Sequence, residues 1–307
     1  MTIILILIKC WLTSTFFMIA STLTKSNQKT LRSNISFSGI GLHTGKISNV
    51  EITSDLPNSG ITFIRSDLKK QNKIKAIWSN VSSSVLSTTI SNKAKISVST
   101  IEHLMSALSG MHIDNARIYI DGPEVPIMDG SSRPFVEMIE KSGIIEQNHK
   151  RKVIKVLKEI EVHNGDSFVK ISPSSQFSIN FEIEFNSAVV NKQACRLKLL
   201  NGNYKSDISS ARTFGFEKDV ENLRENGFAL GGSLENAVVV GKTNVLNKEG
   251  LRFKDEFVRH KILDSIGDLY LAGHPVEGYF FGKKSGHTLN NELLIKLLSN
   301  KNNFELI

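Results

Sequence analysis

The sequence predicts an α+β fold of two similar domains, in each of which helices layer against a mainly antiparallel sheet. A length of 307 residues and a hydrophobic content of 40% allow one large core or two ordinary ones. In each half, short alternating runs typical of strands come first, and a helix, a strand and a second helix follow. Strands grouped ahead of helices favour separate layers over a doubly wound sheet. The repeated plan suggests an ancient duplication.

The first half opens on a glycine-rich turn and continues with short strands. Three glycines surround His43 in the segment 36–45, which predicts a tight turn whose backbone lies close to a neighbour. The Ser- and Thr-rich segment 82–91 fits either a strand pair or a loop. The strands predicted in this half lie at 49–53, 61–65, 73–78 and 115–121.

Two helices are predicted in the first half, separated by the strand at 115–121 and a turn-rich loop. Ser99 can cap the first helix, over 99–110, and Gly110 can end it. The second helix, over 131–142, ends at Gly143.

The polar and charged segment 144–152 predicts a domain boundary. We therefore expect an N-terminal extension at 1–28, a first domain at 29–148 and a second domain at 149–307. The strands predicted in the second domain lie at 152–157, 159–163, 167–172, 177–185, 236–240 and 278–281. Its predicted helices lie near 217–226 and at 254–271 and 288–299.

The N-terminal segment 2–20 is mostly apolar, but Lys9 and several polar residues interrupt it. Its apolar run at 3–8 is too short to span a bilayer, and the absence of a preceding basic residue makes it a poor secretory signal. Three interpretations stay open: a weak membrane anchor, a targeting segment, or translation upstream of the true start. We favour the third, with Met18 as one internal start.

The charge pattern gives no evidence for a nucleic-acid partner. The net charge is +8, but the lysines are scattered and do not alternate with aromatic residues. The two cysteines, Cys10 and Cys195, form neither a disulfide framework nor a Cys-x-x-Cys motif. A metal would therefore be bound by His, Asp and Glu, which favours a catalytic over a structural zinc site.

The predicted helix at 254–271 carries a polar arc opposite its apolar face. At about 100° per residue, His260, Lys261, Asp264 and Asp268 share this arc. His260 and Asp264 are four residues apart, so they are neighbours on one face and can hold two positions of one metal ion. A solvated charged face is the alternative.

Glu102 and His103 lie at the start of the first predicted helix. His103 can supply a third metal ligand if the two halves face each other, and Glu102 would then be placed to take a proton from water. The alternatives are a buried core histidine and a capping box in which Glu102 reaches back toward Ser99. His287, in the loop before the last helix, can act as a second acid or base.

Several motifs, in the same order along the chain from about Lys29 to near the C-terminus, resemble the zinc-dependent UDP-3-O-acyl-N-acetylglucosamine deacetylases of lipid A biosynthesis. They are GIGLHTG at 39–45, STIEHL at 99–104, DN at 114–115, PIMDG at 126–130, SARTFGF at 210–216, LGG at 230–232, LRFKDEFVRHKILD at 251–264 and KSGHTLNN at 284–291. The number of collinear motifs makes the resemblance specific.

The resemblance implies an active site between the two domains, with one zinc ion per chain. Its zinc ligands would be His103, His260 and Asp264. Glu102 would be the general base, and His287, held cationic with help from Asp268, would be the second catalytic group. Thr213 would donate a hydrogen bond to the developing oxyanion. The residues implied to contact the substrate are Lys261, Phe214, Gly232 and His43.

The resemblance also implies a UDP-linked acylated amino sugar as the substrate. An insert near 216–240 would form an apolar passage for the acyl chain, although its side chains can equally be ordinary core. We expect a cytoplasmic monomer with no nucleic-acid partner and no stable membrane insertion. Two other functions stay open: a different zinc amidase that acts on a smaller anionic substrate, and a non-enzymatic binding module on the same scaffold.

Overall fold

The computed structural model describes residues 26–199 and 202–307. It confirms the predicted α+β class, because its helices pack against several mostly antiparallel sheets. The predictions for the N-terminal segment fall outside the described residues. Within the described part of the chain, no helix combines the length and the apolarity that crossing a membrane requires.

The described residues of the first half form ten strands, two α-helices and a 3-10 turn at Trp78–Asn80. Its strands are β1 (Asn27–Leu31), β2 (Ile35–Ile40), β3 (Ile47–Ser54), β4 (Ile61–Arg65), β5 (Lys73–Lys75), β6 (Val81–Ser83), β7 (Thr89–Ser91), β8 (Ser97–Val98), β9 (Ala116–Ile120) and β10 (Ile144–Lys150). Its helices are α1 (Glu102–Gly110) and α2 (Arg133–Ser142).

The described residues of the second half form ten further strands and four helices. The strands are β11 (Ile154–Val156), β12 (Ile160–Asn164), β13 (Ser167–Ser172), β14 (Ser178–Glu184), β15 (Lys192–Lys198), β16 (Phe214–Phe216), β17 (Val238–Val240), β18 (Val276–Glu277), β19 (Tyr279–Lys283) and β20 (Phe304–Leu306). The helices are α3 (Asn203–Asp207), α4 (Glu217–Glu225), α5 (Glu256–Tyr270) and α6 (His287–Leu298).

The two five-stranded sheets share one topology. Their strand orders are β2-β3-β9-β4-β5 and β12-β13-β19-β14-β15. In each sheet a strand from late in the half lies at the centre, antiparallel to one neighbour and parallel to the other. This identity of order and direction supports the duplication that the repeated pattern suggested.

Helices α1 and α5 pack against each other in the centre of the molecule, and this contact positions the site. Gly267 of α5 permits the close approach, because a Cβ atom there would collide with the backbone carbonyl of Glu102. Both helices are buried over most of their surface, including their polar residues. The alternative of a solvated face for α5 is therefore wrong: His260, Asp264 and Asp268 are each at most 3% exposed.

The predicted cap of the first helix is also wrong. The helix begins at Glu102, not at Ser99, and its N-cap residue is Ile101, which makes no side-chain capping bond. Ser99 instead continues the extended chain of β8 and forms a β-bridge with Glu124. Between Ser99 and Ile101, Thr100 adopts a left-handed conformation with φ of 56°. The chain therefore turns sharply before the helix starts.

Two further differences concern weakly patterned segments. The segment 144–150, expected at a domain boundary, forms β10 and pairs antiparallel with β1. Its polar side chains are largely exposed, so it lacks the apolar alternation that identifies a strand. The strand predicted at 73–78 ends at Lys75. The division into domains at 148 stays a prediction.

Candidate active site

Three side chains that can bind a metal meet where α1 and α5 face each other. His103 projects from α1, and His260 and Asp264 project from α5. Their ligand atoms all lie within 4.8 Å of one another. Nε2 of His103 is 3.5 Å from Oδ1 of Asp264, and Nε2 of His260 is 3.4 Å from the same oxygen.

The environment of His260 presents its Nε2 atom as a lone-pair donor. Its Nδ1 lies 3.1 Å from the carbonyl oxygen of Ala211, so Nδ1 carries the proton and donates to that oxygen. Burial lowers the pKa of His260 to about 3, which keeps the ring neutral. A neutral imidazole anchored through its other nitrogen is the form in which histidine binds metals.

Asp264 offers one free oxygen to a cation. Oδ2 accepts a hydrogen bond of 2.7 Å from Nζ of Lys261, whereas Oδ1 is buried and accepts none from the described residues. Burial acts to raise the pKa of Asp264, but His260 and Lys261 outweigh it and hold the pKa well below its usual range. A buried, ionised oxygen beside two imidazole nitrogens fits a zinc ion.

Glu102 borders this group and does not cap its helix. Its Oε2 accepts a hydrogen bond of 3.0 Å from the backbone N–H of Thr88, on a different segment of the chain. The capping-box alternative is therefore wrong, because Ser99 lies outside the helix. Burial raises the pKa of Glu102, which makes its carboxylate a stronger base.

His287 also borders this group, at the start of α6. Its Nδ1 is 2.8 Å from Oδ2 of Asp268, and its Nε2 is 3.9 Å from both Oε1 of Glu102 and Oδ2 of Asp264. Burial opposes the charge on His287, but the carboxylate of Asp268 prevails and raises the pKa to about 9. The structure thus places a carboxylate and an imidazole, both with raised pKa, beside the same three candidate ligands.

The segment that carries Thr213 and Phe214 runs along His260. The ring centroid of Phe214 is 6.3 Å from that of His260 and 4.9 Å from that of Phe257. The backbone N–H of Thr213 donates to the carbonyl of Gly130 over 2.7 Å, which ties the segment to the first half of the chain. Phe214 therefore lies beside a candidate ligand, and Thr213 precedes it in the chain.

The remaining predicted residues lie at two places. Lys261 is part of the central group through its bond to Asp264. His43 and Gly232 lie at a second place, where the turn at 41–45 contacts the insert near 216–240. The backbone carbonyl of His43 accepts from the N–H of Leu230, and Gly232 lies against the side chain of Leu42.

Two residues that sequence reasoning missed form hydrogen bonds with Glu102 and Asp268. Thr88 donates its backbone N–H to Glu102 and its hydroxyl, over 2.6 Å, to Asp268. Asn290 donates to Asp268 over 2.9 Å. The i,i+3 spacing of His287 and Asn290 on one helix was an available signal. Thr88 offered none, because it lies in a Ser/Thr-rich segment without periodicity.

Comparisons with known proteins match most of this chain to one family of deacetylases. The model of the UDP-3-O-acyl N-acetylglycosamine deacetylase (LpxC) family matches residues 28–299. Among similar proteins are the UDP-3-O-acyl-N-acetylglucosamine deacetylases of Syntrophus aciditrophicus and Geobacter sp. strain M21. The first is 46% identical over 277 residues, 90% of this chain and 88% of that protein. The second is 49% identical over 280 residues, 91% of this chain and 92% of that protein.

A third similar protein, from Acidithiobacillus ferrooxidans, carries the same name and is 47% identical over 282 residues. These residues are 91% of this chain and 92% of that protein. The resemblance inferred from the motifs is thereby confirmed, and the chain belongs to the UDP-3-O-acyl N-acetylglycosamine deacetylase family.

Proposed function

We propose that this protein hydrolyses the acetamide of UDP-3-O-(3-hydroxyacyl)-N-acetylglucosamine, releasing acetate and the free amine, in lipid A biosynthesis. The observation that carries the proposal is the buried group of His103, His260 and Asp264, with Glu102 and His287 beside it. It occurs in a chain that matches the deacetylase family over residues 28–299. A base, an acid and a metal site are what amide hydrolysis at neutral pH requires.

The three ligands fit one zinc ion. They supply two imidazole nitrogens and one carboxylate oxygen, a ligand number typical of catalytic zinc sites, which leave one position open. When bound, zinc polarises a carbonyl group and lowers the pKa of water to about 7. Lys261 and the Ala211 carbonyl orient two of the ligands from behind.

Glu102 and His287 each carry out one of the two proton transfers of the hydrolysis. The carboxylate of Glu102 accepts the proton of the attacking water, and its raised pKa suits that role. Nε2 of His287 donates a proton to the departing amine, which is a poor leaving group without one. Asp268 keeps His287 protonated and orients its ring through Nδ1.

We assign substrate recognition to the residues around this centre. Thr213 would donate a hydrogen bond to the acetamide oxygen as negative charge develops there, which stabilises the transition state. Lys261, Phe214, Gly232 and His43 would contact the sugar nucleotide and its chain.

The insert that contains β16, α4 and β17 would receive the acyl chain. Leu230 of this insert is 50% exposed, whereas Val238 is fully buried, so only part of the predicted apolar lining is ordinary core. Phe228 packs edge-on against His43, at the end of the insert that meets the 41–45 turn.

Acetate release from the acylated substrate and from the same compound without its acyl chain tests the assignment. We expect removal of the chain to abolish most of kcat/KM, because binding energy from a remote part of a substrate is used at the reacting centre. Equal kcat/KM for both compounds would instead indicate an amidase for smaller anionic substrates.

The rate should depend on pH with a maximum between two limbs. On the acidic side Glu102 becomes protonated and cannot accept a proton, and above about pH 9 His287 loses the proton that it donates. Asp268→Asn should move the alkaline limb to lower pH, since that carboxylate raises the pKa of His287. Profiles of kcat/KM against pH measure both effects. A flat profile, or an alkaline limb unchanged in Asp268→Asn, would contradict the assignment.

We place the enzyme in the cytoplasm, because its proposed substrate is a nucleotide-linked sugar. We also propose that it is a monomer. Sedimentation of the purified protein measures the oligomeric state directly.

A further inference from the structure

Glu124 is a buried carboxylate that joins two segments of the active site. It lies in the loop between β9 and α2 and has no exposed surface. Its Oε1 accepts hydrogen bonds from the backbone N–H of His43, over 2.8 Å, and from the hydroxyl of Thr100, over 2.9 Å. Its Oε2 accepts from the backbone N–H and the hydroxyl of Thr44, over 2.8 and 2.7 Å. All four donors are uncharged groups.

One of these segments leads into the helix that carries Glu102 and His103. Thr100 has φ of 56°, a left-handed conformation that is a genuine outlier for a β-branched residue and persists only when its surroundings enforce it. The bond from its hydroxyl to Glu124 is one such restraint. A second is the β-bridge between Ser99 and Glu124. Glu124 is therefore bonded to Thr100, the residue at which the chain turns just before the first turn of α1.

The other segment is the turn that carries His43. Gly41 allows this turn to fold over Glu124, because a Cβ atom at Gly41 would collide with the carboxylate. On its other side the turn contacts the insert, through hydrogen bonds from Leu230 to His43 and from Gly231 to Leu42. Nε2 of His43 is buried and has no hydrogen-bond partner among the described residues, which leaves it available to a bound molecule.

We propose that Glu124 is a positioning residue for the deacetylation, whose carboxylate fixes the His43 turn relative to the helix that carries Glu102 and His103. The proposal rests on the proposed function. Glu124 touches none of the reacting groups, so it acts through Thr100 on the proton-accepting base and through the 43–44 backbone on substrate contacts. Only an ionised carboxylate can accept all four bonds, because a glutamine would turn one amide N–H₂ donor toward other donors.

The test compares Glu124→Gln, Thr100→Val and Thr100→Ser in the acetate-release assay. Glu124→Gln should lower kcat by roughly ten- to a hundred-fold, the scale of a small misplacement of catalytic groups, and should also raise KM. Thr100→Val keeps the shape of threonine but loses the bond to Glu124, so it should lower kcat and leave KM nearly unchanged. Thr100→Ser keeps the hydroxyl and should preserve kcat.

Two measurements separate positioning from a general loss of structure. Each variant should retain the wild-type zinc content, measured by atomic emission. In Glu124→Gln, hydrogen exchange should accelerate at the amide of His43 or at that of Thr44, because the NH₂ group of glutamine replaces the acceptor of one of them. Glu277→Gln is the matched control, since Glu277 is also buried, at 3% exposure, but lies on β18 outside the site. It should leave kcat and KM unchanged.

Two results would overturn the proposal. The first is that folded, zinc-loaded Glu124→Gln has the same kcat and KM as the wild type. The second is that Thr100→Val and Thr100→Ser have equal kcat. If Glu124→Gln fails to fold, the two Thr100 variants decide alone. An inactive wild-type protein would overturn the proposed function and this proposal with it, whereas an active wild type with unaffected variants would overturn this proposal alone.

Discussion

Glu102→Gln is expected to lower kcat by about 10²–10⁴-fold, the usual contribution of general acid–base catalysis, while zinc stays bound. Glutamine keeps the size of the side chain and an oxygen that can accept the hydrogen bond from Thr88. It removes the carboxylate that would take the proton from water. Because this interaction exists only in the transition state, kcat and kcat/KM should fall together. Steady-state kinetics and the zinc content of the same preparation measure both quantities.

Glu277→Gln serves as the control for exchanging a buried glutamate, and its turnover should be that of the wild type. Near-normal turnover in Glu102→Gln would assign Glu102 a purely structural contact with Thr88. The proton acceptor would then have to be sought elsewhere. No turnover in the wild type would instead favour the interpretation of the scaffold as a binding module.

His260→Ala should lose zinc and activity together. Three protein ligands are needed to hold a catalytic zinc ion, and removal of a direct ligand should cost more than the roughly 10–100-fold that loss of a supporting residue costs. The alanine also leaves the carbonyl of Ala211 without its donor, so the unfolding temperature should be measured in parallel. Metal analysis after gel filtration and acetate release give the two main readouts.

His112→Ala is the matched control for the loss of a buried histidine. Burial lowers the pKa of His112 to about 4, as it lowers that of His260, but His112 contacts Arg151, away from the metal group. This variant should keep its zinc. Full activity of His260→Ala without bound metal would refute the assignment of the ligands.

Helix α5 was predictable because the spacing of its polar residues and the periodicity of its apolar residues both indicate a helix. The spacing of His260 and Asp264 placed both on one face, and the apolar residues of the opposite face predicted α5 almost to its ends. Periodicity does not distinguish a charged arc that faces water from one that faces a second buried helix. Burial of the arc depends on α1, which lies more than 140 residues earlier in the chain.

The parts that sequence reasoning missed depend on contacts that are distant in the chain. Thr88 contributes a backbone N–H and a hydroxyl. Almost every residue has a backbone N–H, and many residues of this Ser- and Thr-rich segment have a hydroxyl, so neither group identified Thr88. Ser99 resembled a helix cap because Glu102 follows it by three residues. The bridge to Glu124 holds Ser99 in extended chain instead. Strand β10 carries exposed polar residues, so its pairing with β1 left no apolar alternation to detect.

Acetate release by the purified protein from UDP-3-O-(3-hydroxyacyl)-N-acetylglucosamine, before chelation, after chelation and after zinc is restored, tests the central claim most directly. We predict activity that disappears when the metal is removed and returns with zinc, in proportion to the zinc bound up to one ion per chain. Undiminished acetate release from metal-free protein would contradict the metal-dependent mechanism. No release from folded, zinc-loaded protein would contradict the proposed substrate.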